Sequence, residues 1–86
     1  MLLSSNSSDH GWFVYMVKCA DDSLYTGITT EPERRLQEHN SSKAAKYTRS
    51  RQPVVLVYLE SVGNRSEASK REFMIKRLSR GKKQQL

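Results

Sequence analysis

Cysteine is nearly absent. Cys19 is the single one in 86 residues, which excludes an intrachain disulfide or a cysteine zinc cluster and suits a reducing compartment. Long hydrophobic runs are missing as well: Met1-Leu2-Leu3 is far too short for a signal-peptide core or a membrane span, and the polar, serine-rich stretch Ser4 to Asp9 follows it. Residues 1–10 therefore read as a disordered tail, residues 11–86 as a single domain, and the protein as cytoplasmic with no membrane partner. There is no phosphate-binding glycine loop, no nucleophile elbow and no histidine pair at zinc-ligand spacing. His10 falls in the tail and takes no role.

Acidic residues are scarce, nine against fifteen Lys and Arg, for a net charge of +6. The surplus is clustered. Residues 65–86 hold Arg65, Lys70, Arg71, Lys76, Arg77, Arg80, Lys82 and Lys83 against only Glu67 and Glu72. Residues 43–51 hold Lys43, Lys46, Arg49 and Arg51 with no acid at all. Such clustering concentrates polyanions at the surface and points to nucleic acid as partner, the alternative being a solvated basic face. A hydrophobic fraction of 36% and a charged fraction of 28% suit a compact soluble domain with a small core.

Trp12 to Val17 is an unbroken apolar and aromatic run of strand length, expected to be buried on both faces. Lys18 to Ser23 carries Asp21-Asp22-Ser23 turn chemistry, and Leu24 to Ile28 reads as a second strand, so the two should form an antiparallel hairpin. Tyr15 and Tyr25 share a face if odd positions pair with odd; the sequence leaves that register open. Gly27 inside a strand marks a bulge, a bend or a close approach to the backbone, unless it simply ends the strand.

Thr30 as N-cap with Glu33 three residues on predicts a capping box, with Pro32 in the first turn and the helix running to about Asn40. Arg35 and His39 are one turn apart on that helix, and Leu36 is its only strong apolar residue, so its polar face is free for binding. The basic passage from Lys43 to Gln52 offers Lys43, Lys46, Arg49 and Arg51 to phosphates. Tyr47 among them either stacks on a base or anchors its loop to the core.

After Pro53, Val54 to Leu59 is predicted as a third strand at the centre of the core. Ser66 is the expected N-cap of a second long helix, residues 67 to about 80, ended by Gly81. Ala68, Met74, Ile75 and Leu78 form its expected buried stripe, with Arg71 inside the stripe and Phe73 nearly opposite. Glu72 falls at the stripe's edge, half-buried. A carboxylate there needs a partner, either a cation of this basic helix or Mg²⁺, which requires only one or two protein carboxylates because it keeps waters and takes phosphate oxygens.

Phosphodiester hydrolysis needs a base for water, positive groups on the phosphoryl oxygens and help for the leaving alkoxide. Tyr15 or Tyr25 can serve as base or water-orienting group, Arg35 as two-pronged phosphate donor, and His39 as proton shuttle or phosphate ligand, beside a metal held by Glu72. A tyrosine at its ordinary pKa of about 10 is a poor base, so metal and arginine would have to lower it.

These residues resemble the GIY-YIG endonuclease domain family. Val14-Tyr15 stands where the family's first motif ends, Tyr25-Thr26-Gly27 matches its second, Arg35-Leu36-Gln37-Glu38-His39 meets its arginine-to-histidine spacing, and Glu72 matches its metal-binding glutamate. The likeness runs from about Trp12 to Lys83 and looks closest to small stand-alone bacterial members. It implies an α/β fold with a three-stranded antiparallel sheet flanked by helices, in the order β-β-α-(α)-β-α-(α). It also implies one Mg²⁺ (or Mn²⁺) on Glu72 and a site of Tyr15, Tyr25, Arg35 and His39 with Gly27 beside it. The helix pattern does not choose between Arg34 and Arg35; the family spacing favours Arg35. Phe13 and Val14 replace the first motif's glycine and isoleucine, at packing positions. The appended DNA-binding or partner domain of many family nucleases is missing from these 86 residues.

The expected activity is metal-dependent endonucleolytic hydrolysis of DNA, single-stranded or branched, by a monomer. Lys43, Lys46, Tyr47, Arg49, Arg51, Lys70 and Lys76 would hold the polymer. The alternative is a nucleic-acid-binding module that has kept the fold without catalysis, and a third reading is a domain whose basic helix docks an acidic protein.

Overall fold

In the computed structural model, residues 11–41, 43–83 and 85–86 are described; the tail expected at residues 1–10 lies outside them. The apolar run at the start forms β1 (Trp12–Lys18), which turns through residues 19–23 into β2 (Leu24–Thr29). The turn is closed by Cys19 N–H donating to Ser23 O at 2.8 Å and by the Asp21 carboxylate accepting from Ser23 N–H at 3.0 Å, while Asp22 takes a left-handed φ of 72°. Pairing is antiparallel with Tyr15 opposite Gly27 and Val17 opposite Tyr25, so odd positions do meet odd.

The third strand, β3 (Val55–Val62), pairs with β1, giving the order β2-β1-β3. This corrects the expectation for the third strand. β1 is the centre and β3 is an edge, with Val55 and Val57 about half exposed and Leu56 and Leu59 also open to solvent. An apolar strand is buried only where something covers it. The helix α1 (Pro32–Asn40) sets Leu36 against Tyr15, Val17, Cys19 and Val54, and leaves Leu56 and Leu59 lining an open groove with Pro32, Arg34 and Gln37.

The other face of β1 presents Val14 and Met16 to Ala68 and Ile75 of α3 (Arg65–Lys76). The two faces of one strand thus carry the whole core, as its unbroken apolar pattern predicts. A single helical turn, α2 (Lys46–Arg49), follows α1, and a last turn, α4 (Arg80–Lys83), follows α3. Asn40 joins α1 to the chain entering β3 by donating to Val54 O at 3.0 Å and accepting from Val54 N–H at 2.7 Å. Among the described residues no helix is long and apolar enough to cross a membrane.

Both helix starts differ from the sequence patterns. Pro32 takes the first helical position, which moves the N-cap of α1 to Glu31, one residue past Thr30. The expected capping box does not form, and the Thr29 hydroxyl accepts the Glu31 N–H at 3.0 Å instead. In α3 the N-cap is Asn64, accepting from Glu67 N–H at 2.9 Å, not Ser66. The helix stops at Lys76, so Gly81 sits inside α4 and does not end it. Its buried stripe is Ala68 and Ile75, seven residues apart on one line, while Met74 is 58% exposed. Arg71, expected within the stripe, lies at its margin with Nε 2.9 Å from the Glu60 carboxylate, which also accepts the Tyr58 hydroxyl.

Candidate active site

Tyr15 leaves the middle of β1 on the face toward α1, and its ring lies over Gly27, its partner in the ladder. A Cβ at position 27 would sit 2.5 Å from Tyr15 Oη and 2.7 Å from Cζ. Of the four readings open for Gly27, close approach is the one that holds: the position needs the space, not an unusual backbone angle.

The Tyr15 hydroxyl meets His39 Nε2 at 2.8 Å, and His39 Nδ1 meets Thr48 Oγ1 at 2.7 Å. Thr48 Oγ1 in turn lies 3.1 Å from Ala45 O. The carbonyl can only accept, so the single Thr48 hydroxyl proton points at Ala45. Thr48 therefore accepts from His39 Nδ1–H, which leaves Nε2 unprotonated to accept from Tyr15 O–H. This tautomer is assigned from the hydrogen-bond network. His39 and Thr48 are completely buried.

Burial, and after it the Arg35 charge, holds His39 below the ordinary histidine range, with Glu38 pulling weakly the other way. Burial likewise pushes the Tyr15 phenol up to about 12, although Arg35 opposes this; the Tyr25 and Glu72 charges add to the rise. The pair thus rests neutral, phenol against imidazole. Arg35 alone does not lower the tyrosine: burial outweighs it. His39 is sealed from solvent and both of its ring nitrogens are engaged.

Tyr25, diagonal to Tyr15 across the hairpin, places its ring 6.5 Å from that of Tyr15 and 5.2 Å from His39. Arg35 donates to Glu38 Oε1 at 3.0 Å, and its guanidinium also acts on the Tyr15 hydroxyl. Arg34 points away, ion-paired with Glu31 and Glu38 at the surface. Glu72 of α3 is half-buried as expected, paired with Lys76 at 3.1 Å, and within electrostatic reach of Tyr15. Tyr15, Tyr25, Arg35 and His39 are therefore contiguous, while Glu72, on the helix packed against the other face of β1, is linked to them by the action of its charge on Tyr15.

Among the described residues no group of three or more His, Cys, Asp or Glu could hold a metal. One hard carboxylate oxygen donor suits Mg²⁺ or Mn²⁺ completed by water and phosphate, and does not suit zinc.

Of the expected polymer-holding residues, Lys43, Lys46 and Arg49 are exposed around α2. Lys70 and Lys76 are exposed on α3, beside Glu67 and Glu72. Arg51 differs from the free phosphate donor expected: it bonds Asp21 at 3.0 Å and Tyr47 O at 2.7 Å. Tyr47 stacks on Tyr25 at 5.8 Å with the Arg51 guanidinium 4.1 Å from its ring centre, and stays 38% exposed. The sequence patterns passed over Thr48 and the bond from Asn40 to Val54. Thr48 lies in a single turn and Asn40 is the last residue of α1, positions at which periodicity marks no polar partner.

The chain matches the GIY-YIG catalytic domain over residues 11–85. It is 64% identical over 76 residues to a UPF0213 protein of Desulfotalea psychrophila, covering 87% of this chain and 69% of that protein. It is 57% identical over 74 residues to a UPF0213 protein of Haloquadratum walsbyi, covering 86% and 83%. The solution NMR structure of a protein from E. faecalis has a TM-score of 0.59 at 48% identity, covering 90% of this chain and 80% of that one. That of a UPF0213 protein from Bacillus halodurans has a TM-score of 0.55 at 46% identity, covering 86% and 79%. Those names state no activity, but the domain match spans both faces of the sheet and every residue of the tyrosine and histidine cluster: this chain belongs to the GIY-YIG catalytic domain family.

Proposed function

We propose that this protein is a divalent-metal-dependent endonuclease that hydrolyses phosphodiester bonds in DNA, on single-stranded or branched substrates. The observation that carries the reading is the buried line from Tyr15 O–H to the free Nε2 of His39, lying beside Arg35 in a chain of this family. A bound Mg²⁺ on Glu72 would supply positive charge to the phosphoryl and leaving oxygens.

Tyr15 acts as a proton relay. As water oxygen attacks phosphorus, the water gives a proton to Tyr15 Oη while the phenol passes its own to His39 Nε2. The P–O bond to the leaving alkoxide breaks, and that oxygen takes a proton from solvent. Because the phenol never persists as a phenolate, its pKa near 12 is no obstacle; a neutral imidazole 2.8 Å away is what the transfer needs. The geometry favours Tyr15 over Tyr25 as base, since Tyr15 is the one bonded to His39. Arg35 orients the phosphate through its planar fork and exchanges part of its contact with Glu38 for it. Lys43, Lys46, Arg49, Lys70 and Lys76 steer and hold the polyanion.

The test is cleavage of labelled single-stranded, duplex and branched DNA with Mg²⁺ or Mn²⁺, run beside Glu72→Ala and Tyr15→Phe. Cutting by the parent alone is expected; uncut DNA in every case, or undiminished cutting by Glu72→Ala, overturns the reading. One observation favours a non-catalytic binding module instead: Lys76 already neutralises Glu72. That reading expects salt-sensitive DNA retention without metal-dependent cuts.

A further inference from the structure

We infer that Thr48 is a positioning residue for the proposed reaction, its hydroxyl holding His39 in the Nδ1–H tautomer so that Nε2 stays open to the Tyr15 proton. The inference rests on the nuclease reading and concerns a residue outside the arginine, histidine and tyrosine motifs. The opposite tautomer would turn Nε2–H toward Tyr15 Oη and ask Thr48 to donate to Nδ1. Thr48 has one proton, and that proton is committed. Ala45 O accepts both the Thr48 hydroxyl at 3.1 Å and the Thr48 N–H at 3.2 Å, so the single turn of α2 fixes the hydroxyl's direction.

Burial makes this control effective. With Thr48 and His39 both at 0% exposure, bulk water has no access to replace the hydroxyl at Nδ1. The titratable groups facing His39 are Tyr15 from β1, Tyr25 from β2, and Arg35 and Glu38 from α1; Tyr15 is the one that bonds the ring, at Nε2. Thr48 is thus the group set against Nδ1. In the reaction Nε2 gains a proton and the ring becomes an imidazolium, whose Nδ1–H bond to Thr48 Oγ1 strengthens as the charge forms. α2 therefore does more than carry cations: its one buried side chain orients the base.

The experiment combines kinetics with ¹⁵N NMR of the imidazole ring. Replacing His10, the second of the chain's two histidines, leaves one ring to observe. The parent and Thr48→Ser should both show a protonated Nδ1 and bare Nε2 at neutral pH and cut DNA at similar rates. Thr48→Val keeps the shape but offers no acceptor; it should shift the ring toward Nε2–H and lower kcat by about 10- to 100-fold with little change in KM. If the valine variant fails to fold, Thr48→Ala is read in the same way. A parent ring protonated on Nε2, or an unchanged tautomer and kcat without the hydroxyl, overturns the role given to Thr48. Because the ring spectrum does not depend on turnover, an inactive parent with the expected tautomer overturns the nuclease reading instead.

Discussion

Gly27→Ala adds one methyl group where the ladder partner's ring already lies. The new carbon would meet Tyr15 Oη at 2.5 Å, Cζ at 2.7 Å and Cε2 at 2.9 Å, so restoring ordinary contact requires the ring to move by close to 1 Å. It has no easy direction to go. The Tyr25 and His39 rings stand 6.5 and 5.7 Å away by their centroids, and Tyr15 is only 2% exposed. Overpacking of this kind costs about 1–3 kcal/mol, and loss of the bond to His39 adds about 1 kcal/mol. Urea unfolding should therefore show a destabilisation of about 2–4 kcal/mol. Cleavage should fall on the order of 100-fold, the usual penalty for misplacing a base by about 1 Å. A double-mutant cycle separates the ring clash from any general strand effect. In a Tyr15→Ala background the ring is gone, and Gly27→Ala should cost less than about 0.5 kcal/mol. If the cost is the same with and without the ring, or if Gly27→Ala cuts and unfolds like the parent, the account of this glycine is wrong.

Glu72→Gln should abolish metal-dependent cleavage while shifting stability by less than about 1 kcal/mol, because Lys76, its partner in the ion pair, is exposed to solvent; a large change in the urea midpoint would contradict this. His39 is held below its ordinary pKa of about 6.5 by burial, so it stays neutral to lower pH than a free histidine, and the acid limb of the cleavage profile should fall below pH 6.5. Stability has the same sign: between the folded and unfolded pKa values the unfolded chain binds more protons, so stability declines as pH drops below about 6.5, and His39→Gln should flatten that slope. Replacing Lys43, Lys46 and Arg49 together with Ala should make the plot of log binding constant against log salt shallower by about 0.7–0.9 for each phosphate left unneutralised, with chemistry at saturating DNA unchanged.

The hairpin was legible because three signals agreed: an apolar run with no polar break, aspartate and serine turn chemistry, and a second run of matching length. The same apolar test misjudged the third strand. Val54 to Leu59 is as hydrophobic as β1, yet the order β2-β1-β3 and the position of α1 decide that Val54 is buried while Val55 and Val57 are not. A sequence pattern reports what a strand could bury, not what lies over it. The helix starts failed for a related reason: Thr30 and Ser66 are good caps by type, but Pro32 and Asn64 set the geometry first. At the site, the spacing of Arg35 and His39 fixed their common face but not their depth. The hydroxyl that binds His39 lies nine residues on, in a four-residue helix that carries no periodic signal.

Depth is what divides the labour within this cluster. A basic surface favours DNA but raises the cost of any further positive charge beside it, and a protonated His39 next to Arg35 would be such a charge. Burial resolves the conflict by keeping both partners uncharged at rest: the phenol holds its proton up to about pH 12, and the imidazole sheds its own early. In the proposed reaction the imidazolium would form only as negative charge builds on the phosphate being attacked, so the two charges would appear together and offset one another. An exposed histidine at position 39 would be protonated more readily in the free protein, and its added charge would strengthen DNA binding while removing the base. Fully buried, and held from Nδ1 by a neutral hydroxyl and not by a carboxylate, it stays available as a proton acceptor. Replacing Thr48 with aspartate should accordingly raise the His39 pKa and move the acid limb of cleavage upward. That is the direction that distinguishes a site tuned by neutrality from one tuned by charge.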